Sequence, residues 1–157
     1  CSTECKKKNI QIEKEFAPNL PLVRVDREQI KQVFLNILLN AIEATGEGGK
    51  ITVRTRTFTK PSGDPFLQVE IKDTGCGIPE EHLEEIFNPF YTTKPTGSGL
   101  GLSISNQIVQ DHHGYIHVES QPGKGSSFYV NLPVNSDHPK RRKSDQSTQP
   151  ITFFEPR

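Results

Sequence analysis

The sequence predicts an α+β fold, a two-layer α/β sandwich in which helices cover one face of a mixed, mainly antiparallel sheet. Alternating apolar segments flank turns at 60–65 and 121–125, which predicts two antiparallel hairpins. Apolar residues recur at helical spacing in 27–45 and 101–112. Hairpins interrupted by helices favour this sandwich over a parallel, doubly wound sheet.

The chain before the first hairpin predicts two short strands and one long helix. Residues 9–16 alternate between apolar and polar side chains and predict a half-buried strand, and 22–25 predict a second strand. Asp26 is a favourable N-cap, and Gln29 three residues later completes a capping box. The helix is therefore expected at about 27–45, where a glycine-rich segment ends it.

The remaining segments predict the rest of the sandwich. Threonine, β-branched and aromatic residues predict four more strands, at 51–59, 66–72, 115–120 and 126–132. Pro79 opens a short predicted helix at 80–86, whose first turn is acidic. Residues 87–100 form a long loop without periodicity, and loops of that length are usually functional or mobile. A second long helix follows at 101–112.

Length and composition predict one domain with polar ends. A chain of 157 residues can bury a core without disulfides or metals. Its hydrophobic content of 32% is low, and the residues after 135 are mostly polar. We therefore predict a leader from a preceding domain at 1–8, one domain at 9–135 and a disordered tail or linker at 136–157.

Charge and cysteine content argue against several functional classes. Basic and acidic residues number 19 each, so there is no general attraction to nucleic acid or to an anionic membrane. We interpret the basic run at 140–143 as part of a solvated tail. No apolar run approaches the ~18–20 residues of a membrane span. Three cysteines indicate no disulfide framework, and we expect a reducing, cytoplasmic location, although the parent protein could be membrane-anchored.

A polar strip marks the first predicted helix. At about 100° per residue, Gln29, Gln32, Asn36, Asn40 and Glu43 fall within a strip about 80° wide. The rest of 30–42 is apolar, which predicts a helix buried over most of its surface. The two glutamines could simply cap neighbouring loops. The two asparagines suit a different role, because amide oxygens are neutral hard ligands for Mg²⁺ that already carries triphosphate oxygens.

A second candidate element is the aspartate-glycine turn after the predicted strand 66–72. An Asx-type turn is one interpretation of Asp73, because Asp-x-Gly is common turn chemistry. In the other, its carboxylate faces inward and accepts a hydrogen bond from an exocyclic amine such as that of adenine. Gly75 and Gly77 would then leave room for a flat ring, and Ile78 would pack on it. Guanine would be rejected, because it offers a carbonyl at that edge.

The third candidate element is the long loop and the helix start behind it. Tyr91 belongs to an aromatic anchor, and 92–94 supply two threonine hydroxyls and the Lys94 cation. Gly97, Gly99 and Gly101 follow, and backbone N–H groups at a helix N-terminus bind phosphate. A flexible linker would look similar, but apolar residues at helical spacing follow these glycines directly. Neither a dinucleotide fingerprint nor a P-loop is present.

Taken in order, these segments resemble the catalytic, ATP-binding domain of bacterial sensor histidine kinases, in the superfamily shared with gyrase, the Hsp90 chaperones and MutL. Asn36-x-x-x-Asn40-Ala41 resembles the N box, and Asp73-x-Gly75-x-Gly77 resembles the first glycine box. Residues 87–90 resemble the F box, 97–101 the second glycine box, and 123–133 the closing hairpin. Segments 40–44 and 89–94 look most like nitrogen-regulation-type sensor kinases.

The resemblance implies a Bergerat-type fold that holds ATP and Mg²⁺. Asn40 would ligate the metal, Asn36 would lie close to the phosphates, and Asp73 would bind the adenine amine. Lys94 and the backbone amides of a lid at 97–102 would hold the terminal phosphates. Ser126 would support the adenine edge through water. Asn36, Asn40 and Lys94 are the implied catalytic residues. The implied nucleotide-binding set is Asn36, Asn40, Glu43, Ala44, Asp73, Gly75, Gly77, Ile78, Tyr91, Thr92, Thr93, Lys94, Gly97, Ser98, Gly99, Leu100, Gly101, Leu102 and Ser126.

The implied function is γ-phosphoryl transfer to a histidine on a separate dimerisation domain, with a response regulator as the further partner. None of the five histidines lies in a phosphoacceptor-like segment, so we expect this chain to bind ATP without phosphorylating itself. An ATP-hydrolysing switch is the alternative enzyme. It is less favoured because Asn36, a poor general base, stands where that branch has a glutamate. A non-catalytic nucleotide-sensing or docking module is the third hypothesis.

Overall fold

The computed structural model describes residues 8–89, Tyr91, 101–134 and 148–151. The predicted strands and long helices are confirmed within one or two residues. In chain order the elements are β1 (Gln11–Phe16), β2 (Val23–Asp26), α1 (Arg27–Ala44), β3 (Lys50–Thr59), β4 (Pro65–Asp73), a 3-10 turn (Glu80–His82), α2 (Gly101–Asp111), β5 (Tyr115–Gln121), β6 (Gly125–Pro133) and β7 (Thr148–Ile151).

Five strands form the main sheet, in the order β1-β3-β4-β6-β5. β1 pairs with β3 in parallel, and every other neighbour in this sheet is antiparallel, as predicted. Alternate residues of β4 and β6 face the helices, so that Ile71 lies opposite Phe128 and Leu67 opposite Leu132 in one core layer. α1 and α2 pack on each other and on this face of the sheet.

The opposite face of the sheet carries cross-strand ion pairs beside an aromatic cluster of Phe58, Phe66 and Tyr115. Arg54 on β3 bonds Glu15 on β1 at 2.6 Å and Glu70 on β4 at 3.0 Å. The hydrogen bond from Arg54, with its charge, lowers the pKa of the Glu15 carboxyl. The sandwich therefore has one helical layer, and its buried apolar core lies on one side of the sheet.

α1 differs from the expectation of burial over most of its surface. Its buried apolar residues form one stripe, Ile30, Val33, Ile37, Ala41 and Ile42. Leu35 and Leu39 are 45% and 36% exposed, and Gln29, Gln32 and Glu43 face solvent. The physical reason is the two-layer architecture, because among the described elements the two sheets and α2 cover part of this helix and leave the side of Leu35 and Leu39 open.

The predicted helix at 80–86 is wrong beyond its first turn. Only Glu80–His82 is helical, as a single 3-10 turn, and further i→i+3 hydrogen bonds continue to the N–H of Tyr91. Glutamates at 80, 81, 84 and 85 form two like-charge pairs at i,i+4 spacing, which disfavours an α-helix here.

The predicted disordered tail also contains a strand. β7 pairs antiparallel with β2, where Val23 lies opposite Ile151 and Asp26 opposite Thr148. A second strand satisfies backbone groups of β2, an advantage that polar composition does not reveal. Residues 1–7 of the predicted leader and the rest of the tail lie outside the described residues. Within the described residues, neither helix is long and apolar enough to cross a membrane.

His112 fastens the end of α2 to the start of α1. Its Nε2 accepts the backbone N–H of Asp26 at 2.9 Å, and Asp26 is the N-cap of α1. Its Nδ1 then carries the proton and donates to the Ile108 carbonyl at 2.7 Å. A backbone N–H can only donate, so these two partners determine which ring nitrogen is protonated.

We expect two substitutions of His112 to separate these bonds. The amide oxygen of Gln reaches the position of Nε2, whereas Asn reaches only as far as Nδ1. His112→Asn leaves the Asp26 N–H without its partner and should lower the free energy of unfolding by about 1 kcal/mol more than His112→Gln. Urea unfolding measures both, with His113→Asn as the control, because Asn tolerates the positive φ of that exposed residue. Equal losses for Gln and Asn would contradict this account.

Candidate functional site

Asp73 is a buried carboxylate at the end of β4. It is 2% exposed, and its Oδ1 accepts the backbone N–H of Gly75 at 2.8 Å and that of Ser126 at 3.3 Å. Burial raises the pKa of this carboxyl, and the two N–H groups partly oppose that shift. Among the described residues nothing donates to Oδ2. The Gly75 contact is the expected Asx-type turn, and the second oxygen leaves an acceptor for a ligand.

The glycines beside Asp73 have a different role from the one expected. A Cβ on Gly75 would collide with the carbonyl oxygen of Ala44, and one on Gly77 would collide with the carbonyl oxygen of Gln121. Gly77 also has a φ of 73°, which favours glycine. Backbone, rather than open space, therefore occupies the positions that side chains would take. These glycines draw the Asp73 loop against the end of α1 and against the β5–β6 turn.

The asparagine helix, which is α1 with its Asn36 and Asn40, meets the loop after Asp73 at its last turn. The N–H of Cys76 donates to the carbonyl oxygen of Ala44 at 3.3 Å. Asn40 is half-buried and lies one turn before Ala44, roughly 6 Å along the helix axis. The structure thus brings the predicted metal ligand and the predicted base acceptor to one part of the molecule. Glu43 is exposed on the same last turn.

Asn36 contacts the first turn of α2. Its Nδ2 donates to the carbonyl oxygen of Gly101 at 3.1 Å and to Ser105 Oγ at 3.2 Å. Ser105 Oγ donates to the same carbonyl at 2.8 Å. The sequence interpretation missed Ser105, although its helical spacing from the apolar residues Leu102 and Val109 was a signal that it shares their face, and it is buried. Asn36 therefore joins the asparagine helix to the helix that follows the predicted lid.

A hydroxyl pair lies on the other side of Asp73. Ser126 Oγ and Ser120 Oγ are 2.8 Å apart, and the N–H of Ile78 donates to Ser120 Oγ at 2.7 Å. The structure thus connects Ile78 and Ser126, both predicted, through Ser120, which the sequence interpretation missed. Its position across the hairpin from Ser126 is visible only once the strand register is known.

The loop at 87–100 and the lid after it are described only in part. Thr92, Thr93, Lys94, Gly97, Ser98, Gly99 and Leu100 lie outside the described residues, and their roles remain predictions. Tyr91 is half-buried, with its ring edge-on to His82 at 5.9 Å between centroids. Leu102 packs against the core at the start of α2.

The donor set fits an adenine nucleotide with Mg²⁺. The described residues contain no cluster of three or more His, Cys, Asp or Glu side chains able to hold a cation without a ligand. The amide of Asn40 instead suits a metal that takes most of its oxygens from phosphate and water. Asp73 Oδ2 supplies an acceptor for an amine.

Comparison with known proteins identifies relatives over most of the chain. Residues 25–136 match the model of the family described as histidine kinase-, DNA gyrase B- and HSP90-like ATPase. Sporulation kinase E of Bacillus subtilis (strain 168) is 39% identical over 137 residues, or 87% of this chain and 18% of that protein. The histidine-protein kinase AtoS of Escherichia coli (strain K12) is 42% identical over 125 residues, covering 80% of this chain and 19% of AtoS. The chain thus spans about a fifth of these relatives.

Solved structures of histidine kinases are also similar to this chain over most of its length. The catalytic domain of histidine kinase ThkA is 40% identical with a TM-score of 0.72, and 84% of each chain is covered. ThkA in complex with the response regulator protein TrrA is 38% identical with a TM-score of 0.66, over 84% of this chain and 36% of that one. Full-length ShkA in complex with AMPPNP is 27% identical with a TM-score of 0.73, over 84% of this chain and 27% of that one.

We expect Gly75→Ala to separate the two halves of the site. The added Cβ meets the Ala44 carbonyl and must push the loop away from α1, at a cost of about 1–3 kcal/mol in the free energy of unfolding. Gly46→Ala is the matched control, because no atom of the described residues beyond its chain neighbours lies within 4 Å of its added Cβ. Chemical denaturation compares the two, and equal stability of both variants would contradict the close approach.

Proposed function

The chain belongs to the family of histidine kinase-, DNA gyrase B- and HSP90-like ATPases, and on that premise we propose that it holds Mg-ATP for γ-phosphoryl transfer to a histidine of a separate dimerisation domain. The observation that carries the proposal is the state of Asp73. Two backbone N–H groups hold one carboxylate oxygen, and among the described residues the other has no donor, in a loop that contacts the end of α1 at Ala44.

In this proposal Asp73 Oδ2 accepts the exocyclic amine of adenine. A guanine carbonyl at the same position would face a carboxylate and find no donor, so adenine nucleotides should be preferred. Gly75, Gly77 and Ile78 form the wall beside the base, and Ser126 supports the base edge through water. The contact between Asp73 and the Ser126 N–H supports this arrangement, because it brings the two groups together.

The phosphate end of the nucleotide is assigned to α1, the lid and the start of α2. Asn40 ligates Mg²⁺, which when bound neutralises charge on the phosphates, and Asn36 lies beside them and steadies the α2 turn. Lys94 and the N–H groups of 97–102 bind the terminal phosphates. Tyr91, Thr92 and Thr93 line the same side, and Glu43 and Ala44 line the pocket near Asn40.

Transfer, rather than hydrolysis, is favoured by the chemistry of Asn36. A carboxamide has no useful basicity, and Nδ2 of Asn36 already donates to Gly101 and Ser105. Water therefore lacks an activating base at this position. By analogy with ThkA, which forms a complex with a response regulator, we propose that a response regulator takes the phosphoryl group onward. A cytoplasmic location is part of the proposal.

Two measurements test the function. Isothermal titration with ADP and GDP, each with and without Mg²⁺, should show binding of ADP, strengthened by the metal, and much weaker binding of GDP. Labelled ATP mixed with this chain and the histidine-bearing dimerisation fragment of the parent protein should label that fragment. Release of free phosphate without labelling would support the hydrolysing switch instead. Binding without either reaction would support a sensing module.

Asp73→Asn should separate function from stability. Asn keeps an oxygen for both N–H groups but presents an amine to the amine of adenine, so ADP affinity should fall at least about tenfold, or 1.4 kcal/mol.

The folded variant should be as stable as the wild type or more stable at pH 7. Burial raises the pKa of Asp73, so the folded state favours the neutral carboxyl. This contribution to the free energy of unfolding is complete below the unfolded pKa and is lost as pH rises through the folded pKa. Asn carries no charge and avoids this loss. Titration calorimetry and urea unfolding at pH 7 measure the two effects, and a clear loss of stability would contradict the account.

A further inference from the structure

We propose that Ser120 is a positioning residue for base recognition. Its hydroxyl accepts the backbone N–H of Ile78 and orients the hydroxyl of Ser126, so that Ser126 Oγ and Asp73 Oδ2 both present acceptors beside the base. This inference rests on the proposed function and adds a specificity determinant that does not touch the nucleotide. Ser120 lies on β5, directly across the hairpin from Ser126 on β6.

Three segments of the chain converge on the Ser120 hydroxyl. The N–H of Ile78, in the loop after Asp73, donates to Oγ at 2.7 Å. The carbonyl oxygen of Gly125 lies 3.1 Å away and accepts from it. Ser126 Oγ is 2.8 Å away, at a distance where either hydroxyl could donate. The loop after β4, strand β5 and the start of β6 thus share one half-buried side chain.

A count of protons selects one arrangement of this network. A serine hydroxyl has one proton to donate and two lone pairs that accept. The Ile78 N–H occupies one lone pair, and the Gly125 carbonyl can only accept, so it takes the Ser120 proton. The remaining contact is made only if the Ser126 hydroxyl donates to the second lone pair of Ser120. The opposite direction would leave the Gly125 contact without a proton.

The consequence is that Ser126 Oγ and Asp73 Oδ2 present the same polarity. The hydroxyl proton of Ser126 points to Ser120, and its backbone N–H points to Asp73 Oδ1. Ser126 therefore has only lone pairs left for its surroundings, and Asp73 Oδ2 is also an acceptor. Two acceptors at these positions suit the amine of adenine and oppose the carbonyl at the same position of guanine or hypoxanthine. Without Ser120, the Ser126 hydroxyl could rotate and donate directly to that carbonyl, in place of the bridging water.

The test compares base preference rather than affinity alone. Ser120→Ala and the control Ser127→Ala are titrated with ADP and with inosine diphosphate, which replaces the amine by a carbonyl. Ser127 follows Ser126 on β6, is buried as Ser126 is, and lies opposite Glu119 on β5. We expect Ser120→Ala to weaken ADP binding about threefold to tenfold, as for one lost hydrogen bond, and to weaken inosine diphosphate less. The preference for ADP, measured as the dissociation constant of inosine diphosphate divided by that of ADP, should therefore fall at least about threefold. Ser127→Ala should keep the wild-type ratio.

A purely structural role predicts that both nucleotides weaken equally, so an unchanged preference in Ser120→Ala would overturn the proposal. Ser120→Thr keeps the hydroxyl and should restore the preference. If the Ala variant folds poorly, Ser120→Cys keeps the size with a weak donor and acceptor and should narrow the preference in the same way. Failure of the wild-type chain to bind ADP would overturn the proposed function itself, an outcome distinct from an unchanged preference in a chain that binds ADP.

Discussion

The site depends on a buried carboxylate that is held by one of its two oxygens. Asp73 is withdrawn from water at the end of a central strand, where an unpaired charge would be costly. Two backbone N–H groups, from the loop that follows it and from the neighbouring strand, offset part of that cost at Oδ1. Because both bind the same oxygen, the carboxylate is oriented and still has an acceptor to offer. The glycines around it allow this geometry, since a Cβ on Gly75 or Gly125 would meet backbone.

α1 connects the two ends of the proposed nucleotide pocket. Its last turn touches the Asp73 loop, and one turn before Asn40 its Asn36 side chain holds the first turn of α2. His112 closes the far end of the helix pair by accepting the N–H of the α1 cap residue. The described side chains proposed to bind base, metal and phosphate, Asp73, Asn40 and Asn36, therefore lie on this helix or on a strand and loop that contact it. A position on regular elements holds such groups more precisely than loops alone can.

The sequence predicted most of the architecture because its signals are local. Capping at Asp26 and the alternation in β3, β4 and β6 reflect interactions within a few residues, and the observed elements agree. The features that sequence reasoning missed depend on contacts between distant residues or on repulsion between like charges. Like charges among four glutamates limit the 80–86 segment to a 3-10 turn, and β7 forms because β2 offers a partner far away in sequence. The roles of Ser105 and Ser120 depend on packing and strand register, which composition does not encode.

The hydrogen bond from the Ser126 N–H to Asp73 joins residues 53 positions apart. The adenine-side acceptor is therefore complete only when the last hairpin has docked on the central strand, so no early fragment of the chain can form it. A ligand that requires this contact binds the fully assembled domain and not its unfolded or partly folded forms. By mass action, occupancy at a hundred times the dissociation constant adds about 2.7 kcal/mol against global unfolding. Cellular nucleotide would thus shift the folding equilibrium of this domain towards its folded state.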